Sequence, residues 1–300
     1  MKITNFKDEY LPQLQEISFF MWLRVQWDST IMRDNVFAAI DEEELLLGIC
    51  ALCCDGTWYY IDDERTDIPR YRLQMEVCIK EECCAADKVE RELIHAAKQR
   101  LQQLKEKYPD KKLCIRCWCE EKDYHKQQQL LELGFSGHNI VWIMGFDLEN
   151  TEIPQIEESE DVSFDFMENT DEAIKEYLAA NSLGYDNVQD AEGELRFRLE
   201  DERTKVLVAR SDGKIVSSVT TWHISDKNAA TENIFTIPEF RRRKMGSRIV
   251  TRSLSYLKEN GYKLATLTCV GDNVRAIALY NSIGYKVVGH LLEMHWETFD

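Results

Sequence analysis

No stretch of this 300-residue sequence approaches the roughly 18 consecutive apolar residues that a membrane-spanning helix needs, so no membrane partner is expected. Its opening, Met-Lys-Ile-Thr-Asn-Phe-Lys-Asp-Glu, has neither an apolar signal region nor a small-residue cleavage site, and a cytoplasmic location is the expectation. Positive charge is also scarce. Against 54 Asp and Glu stand 37 Lys and Arg, a formal net charge of −17. A chain without a basic footprint is not expected to bind nucleic acid, whose phosphates supply most of the affinity. Such a surface suits a cationic small molecule or peptide instead.

Cysteine, by contrast, is plentiful, with ten residues, nine of them in the first half. In the absence of a secretory signal, reduced thiols are expected rather than a disulfide framework. Cys114-Ile-Arg-Cys117-Trp-Cys119 contains a C-x-x-C, but it alternates like a strand, with Leu113, Ile115, Cys117 and Cys119 on one face and Cys114 on the other. A zinc knuckle needs a turn there, so these cysteines read as buried small hydrophobes and no metal ligand is assigned.

Length and a 44% hydrophobic content imply two packed domains. In the first half a short strand (1–6) leads to a helix (10–27) bearing Phe19, Phe20, Trp22 and Trp27, read mainly as core. Strands follow at 36–40, 45–52, 58–61 and 71–79, then a long helix (88–107), a strand (113–119), a helix around 127–133 and a strand (140–146). Residues 149–161, acidic and aperiodic, read as a linker. The second half repeats the order: a strand from Val162, a helix from Glu172, a break at Gly184-Tyr185-Asp186-Asn187, a charged helix at 191–199, and a hairpin across Asp212-Gly213. Gly134-Phe135 and Gly284-Tyr285 lie 284 − 134 = 150 positions apart, each after a leucine-bearing helix, which marks an internal duplication.

The most informative stretch is Glu232-Asn-Ile-Phe-Thr-Ile-Pro-Glu-Phe-Arg-Arg-Arg-Lys-Met-Gly-Ser247. It reads as a strand that ends at Pro238, a cationic crossing, and a helix start after Gly246. Free N–H groups and a positive dipole end at one place suit an anion, phosphate best of all. With Asn273, Ala278-Leu279-Tyr280 and Gly284-Tyr285 downstream, the chain resembles the GCN5-related N-acetyltransferases, the GNAT family.

The resemblance implies a mixed α/β (α+β) fold of two tandem GNAT-like domains, each a mostly antiparallel central sheet flanked by helices: 1–148, the linker 149–161, and 162–300. It implies acetyl-coenzyme A as co-substrate and a small-molecule or peptide amine as acceptor. Ile234, Phe235 and Thr236 would offer backbone groups to the pantetheine arm, and Arg241, Arg242, Arg243, Lys244, Met245, Gly246 and Ser247 would surround the diphosphate. Asn273 would contact the cofactor, cap a helix, or both. Glu232 resembles the family's general base and Tyr280 its general acid. Tyr185 and Phe197 are candidates to touch the acceptor, whereas His223, His290 and His295 sit in no family motif. Lys244 departs from the family, whose loop has glycine at that position. The first half departs further, with Lys80-Glu-Glu-Cys-Cys-Ala-Ala-Asp87 in place of the loop, Leu130 for Tyr280 and Asp123 for Asn273. It reads as a degenerate copy. A non-catalytic acyl-coenzyme A-binding or protein-interaction module is the alternative class, and a homo-oligomer is left open.

Overall fold

A computed structural model describes residues 1–64, 67–155, 161–185 and 192–298. In chain order the elements are β1 (Lys2–Asn5), α1 (Leu11–Ile17), α2 (Phe19–Trp27), β2 (Ile31–Ile40), β3 (Leu46–Cys54), β4 (Tyr71–Ile79), α3 (Ala86–Lys107), β5 (Leu113–Glu120), α4 (Tyr124–Glu132) and β6 (Ser136–Asp147). There follow β7 (Ser163–Phe166), α5 (Asp171–Gly184), α6 (Glu192–Leu199), β8 (Lys205–Ser211), β9 (Lys214–Ser225), β10 (Asn228–Thr236), α7 (Met245–Glu259), β11 (Leu264–Val270), α8 (Val274–Ile283) and β12 (Lys286–Glu297).

Two compact units result, Met1–His138 with Glu293–Asp300, and Asn139–Leu292. The division by packing differs from the boundaries at 148 and 162 drawn from the repeat. Residues 141–147 of β6 pair antiparallel with β11 inside the second unit, and the last residues of β12 belong to the first.

In the first unit β1 to β4 form an antiparallel meander, and β5 lies parallel to β4. Helix α3 buries Val89, Leu93, Ile94, Ala97 and Leu101, a stripe at helical spacing. The second unit repeats the plan: β7 to β10 are antiparallel, β11 is parallel to β10, and α7 buries Ile249, Val250, Leu254 and Leu257.

Equivalent junctions in the two units are built alike. Asp123 and Asn273, 150 positions apart, each cap the next helix by accepting a backbone N–H three residues on, from Lys126 and Ala276. Gly134 (φ 80°) and Gly284 (φ 118°) both take the left-handed conformation that ends those helices. The duplication therefore holds at the level of caps and turns.

Some expectations fail for local reasons. The helix expected over 10–27 is broken at Ser18, which turns extended (φ −155°, ψ 104°) and uses its hydroxyl to cap Met21 N–H. Phe19, Phe20 and Trp27 are exposed rather than core, at 58%, 50% and 70%. Residues 58–60 form a 3₁₀ turn instead of a strand, because Asp55 Oδ1 accepts from both the N–H and the hydroxyl of Thr57 and curls the chain. Asp186 and Asn187, expected in the break, and 156–160 of the linker lie outside the described residues.

Candidate active site

The site follows from how β10 parts from its neighbours. β10 and β11 pair only from Asn228↔Leu264 to Ala230↔Thr266, and beyond Thr266 no further pairing joins them. On its other side the register of β10 against β9 slips between Glu232 and Phe235, with Asn233 at φ +48°. This is a β-bulge, which bends a strand and re-aims its side chains. Asparagine tolerates the left-handed region better than most residues, so the sequence allows the bulge at this point. β10 is thereby steered away from β11 and leaves an open splay. In the first unit β4 pairs with β3 through an unbroken register, without a bulge.

At the splay, Glu232 Oε1 accepts a hydrogen bond from Thr268 Oγ1 of β11 at 3.2 Å. Tyr185, just after α5, donates its hydroxyl to the Ile234 carbonyl at 3.2 Å. Phe235 points away into the core and makes an edge contact with Tyr177, while its carbonyl accepts from Ser217 Oγ at 2.6 Å. Of the backbone groups expected to meet a pantetheine arm, the Ile234 and Phe235 carbonyls thus already have protein partners. Thr236 accepts through its carbonyl from Arg241 Nε.

Tyr280 reaches the same place from α8. It is 7% exposed. Burial raises its pKa well above the ordinary phenol value, and Tyr185, Cys269, Tyr285 and Glu232 add to the rise; the Tyr285 ring centroid lies 6.0 Å from its own. Among the described residues the Tyr280 hydroxyl makes no hydrogen bond. The neighbouring Tyr285 differs, since its hydroxyl pairs with Thr231 Oγ1 at 2.8 Å. A structural tyrosine is expected to find a partner. Tyr285 does and Tyr280 does not.

Helix α7 begins at the crossing. Lys244 is its N-cap and makes no side-chain cap, so the N–H groups of Met245, Gly246 and Ser247 have no intrahelical acceptor; the first bond of the helix runs from Arg248 N–H to the Lys244 carbonyl at 3.0 Å. Arg242 (φ 63°) and Lys244 (φ 57°) both adopt the left-handed region. The lysine thus holds a conformation that glycine adopts more readily, at a cost of about 1 kcal/mol. Arg242, Arg243 and Lys244 are exposed, with Arg243 lying over Phe240. Arg241 is a strut rather than a free cation: its guanidinium donates to the carbonyls of Thr236 and Gly184 and ties the end of β10 to the end of α5. Gly246 permits close helix packing, for a Cβ there would stand 2.9 Å from Leu279 of α8.

Phe197 lies on α6, and the histidines, which sit in no family motif, have other partners. His223 contacts the Tyr262 hydroxyl at 3.2 Å, His290 lies edge-on to Trp142, and His295 belongs to the first unit. Thr268 and Asn233 were missed by sequence reading, although an asparagine interrupting a strand of β-branched and aromatic residues is itself a bulge signal. A cavity of about 690 Å³ in the second unit lies elsewhere, between α7 and β7, lined by Phe164, Arg248 and Tyr256.

Residues 168–285 match the model of the Acetyltransferase (GNAT) family. An uncharacterized N-acetyltransferase, YhfO, of Bacillus subtilis is 29% identical over 105 residues, covering 33% of this chain and 70% of that protein. An uncharacterized N-acetyltransferase of Archaeoglobus fulgidus is 28% identical over 115 residues, covering 36% and 78%. Over the whole of both chains the fold is similar to that of a tandem GNAT protein from the clavulanic acid biosynthesis pathway, with a TM-score of 0.66 at 13% identity.

Proposed function

Because the chain belongs to the GNAT acetyltransferase family and is an N-acetyltransferase, we propose that its second half transfers an acetyl group from acetyl-coenzyme A to the primary amine of a small, cationic acceptor, and that the first half is a degenerate copy. The observation that carries this reading is Tyr280, a residue only 7% exposed whose hydroxyl makes no hydrogen bond among the described residues, together with a splay that opens within a few residues of an uncapped helix start.

In this reading the diphosphate lies on the N–H groups of Met245, Gly246 and Ser247, where the helix dipole favours negative charge. The pantetheine arm enters the splay and brings the thioester toward Tyr280. Glu232 takes the ammonium proton, directly or through a water. The free amine attacks the thioester carbonyl, the C–N bond forms, and the C–S bond breaks. A thiol titrates near 8.5 and this phenol well above 10, so full proton transfer to a free thiolate would run uphill. Tyr280 instead donates a hydrogen bond to sulfur as negative charge develops, and the proton that the nitrogen sheds once the C–N bond has formed passes, directly or through water, to the departing thiolate. In the first half Leu130 offers no hydroxyl, β4 has no bulge, and Glu81 and Glu82 precede the helix start, where they oppose a diphosphate.

The acceptor class is tested by following thiol release from acetyl-coenzyme A with polyamines, aminoglycosides, amino acids and peptides. Turnover with at least one cationic amine, weakened by salt, is expected. Tight cofactor binding with no turnover on any amine would favour the non-catalytic module. The pH profile follows from the direction of the Tyr280 shift. A raised pKa keeps the phenol protonated through the alkaline range, so kcat should rise with pH as base and amine deprotonate and should not fall again below about pH 10. A descending limb near pH 8 would remove Tyr280 from the donor role.

The loop lysine gives a third test. Lys244→Gly keeps the left-handed backbone and should leave coenzyme A affinity within about tenfold of wild type, since the strain relieved and the chain entropy added nearly cancel. Lys244→Ile places a β-branched residue at φ 57°. It should cost about 2 kcal/mol, read as a melting temperature several degrees lower.

A further inference from the structure

The first unit contains a group of side chains that acetyl transfer does not use. Glu293, His295 and Glu297 alternate along β12 and so share one face. Cys114 of β5 joins them: its Sγ, a ring nitrogen of His295 and a carboxylate oxygen of Glu297 all lie within 4.8 Å of one another. Cys114 and His295 are buried, at 0% and 2% exposure.

The hydrogen bonding of His295 is one-sided. Nε2 lies 2.7 Å from Glu293 Oε1, a buried carboxylate. A carboxylate oxygen accepts, so Nε2 is the nitrogen that donates to Glu293, and Nδ1 is the one turned away from it. That Nδ1 is buried and has no hydrogen-bond partner. The His138 ring stacks on the imidazole at a centroid distance of 3.9 Å and fixes its plane. An unmet buried nitrogen costs about 1–3 kcal/mol. A carboxylate on the far nitrogen of an imidazole is the usual outer partner of a metal-bound histidine.

We propose that Cys114, His295 Nδ1 and Glu297 form a zinc site, with Glu293 as the carboxylate that orients the histidine. Zinc bond lengths imply ligand separations of about 3.5 Å in a tetrahedral site, so small side-chain adjustments close the group. A thiolate, an imidazole and a carboxylate together favour Zn²⁺ over Mg²⁺ or Ca²⁺, which take oxygen ligands. Three protein ligands leave a fourth position for water. On binding, the Cys114 S–H bond breaks, the S–Zn bond forms and the proton passes to solvent. Arg70 donates to Glu297 Oε1 at 2.5 Å, which leaves Oε2 for the metal. The cations Arg70, Arg72 and Arg116 near Cys114 oppose metal binding, and the thiolate, Glu297 and Glu293 offset them.

The full-length protein, stripped with a chelator, is titrated with Zn²⁺ and separately with Co²⁺. One metal per chain, a raised melting temperature and a thiolate-to-cobalt charge-transfer band are expected. Cys114→Ser should abolish that band, and Cys119→Ser should leave it unchanged. Glu293→Gln should keep the band but weaken metal affinity about 10–100-fold, the loss typical of an outer partner. Comparing the melting temperatures of the metal-free variants separates lost ligation from misfolding. Absence of a thiolate band, its persistence in Cys114→Ser, or unchanged affinity in Glu293→Gln would overturn the assignment.

Discussion

Tyr280→Phe is expected to lower kcat by about 10²-fold or more and to leave coenzyme A affinity within about twofold, because it removes one proton donor and no packing volume. The ring stays in its buried setting beside Tyr285. No hydrogen bond is lost within the protein's described residues, so the melting temperature should change by no more than a degree or two. This combination separates a catalytic from a structural tyrosine. Tyr285→Phe is the matched control: it removes one of the two hydrogen bonds of Thr231 Oγ1, leaving that to the Thr266 carbonyl, and should lower stability by about 1 kcal/mol. If Tyr280→Phe turned over at the wild-type rate, the phenol would have no part in the reaction.

The second large effect is expected at the helix start. Gly246→Asp sets a carboxylate among the N–H groups proposed to hold the diphosphate. Repulsion across a few ångströms at a surface-like effective dielectric is worth about 2–3 kcal/mol, or roughly 100-fold in the dissociation constant. Gly246→Ala controls for space. Its Cβ would meet only the flexible tip of Leu279, at 2.9 Å, so a change below about tenfold is expected. Isothermal titration with coenzyme A and with dephosphorylated pantetheine separates the two contributions. The aspartate should weaken the first strongly and the second little. Equal loss for both ligands would mean general damage to α7.

How much of this was legible in the sequence depends on whether the signal was local. The strand-crossing-helix order around Pro238 and Gly246 and the cap at Asn273 are set by residues a few positions apart, and they appear as read. Glu232 and Tyr280 were named from a motif; Glu232 accepts from Thr268 of β11, and Tyr280 is a buried residue of α8. What the sequence did not yield was long-range. That β6 pairs with β11, some 120 residues later, and that the end of β12 returns to the first unit, follows from sheet pairing, which leaves no local mark. Arg241 looked like a phosphate contact because charge is visible in sequence and hydrogen-bond partners are not. The same blindness hid Cys114, set aside as a buried hydrophobe, from His295 and Glu297 about 180 residues away.

If the N–H groups of Met245, Gly246 and Ser247 grip a diphosphate and so aim a thioester at Tyr280, a crystal structure with acetyl-coenzyme A bound will have diphosphate oxygens within about 3 Å of those three nitrogens and the thioester sulfur within hydrogen-bond reach of the Tyr280 hydroxyl. Cofactor bound along β4 and β5 of the first unit, or a diphosphate with no contact to residues 245–247, would contradict it.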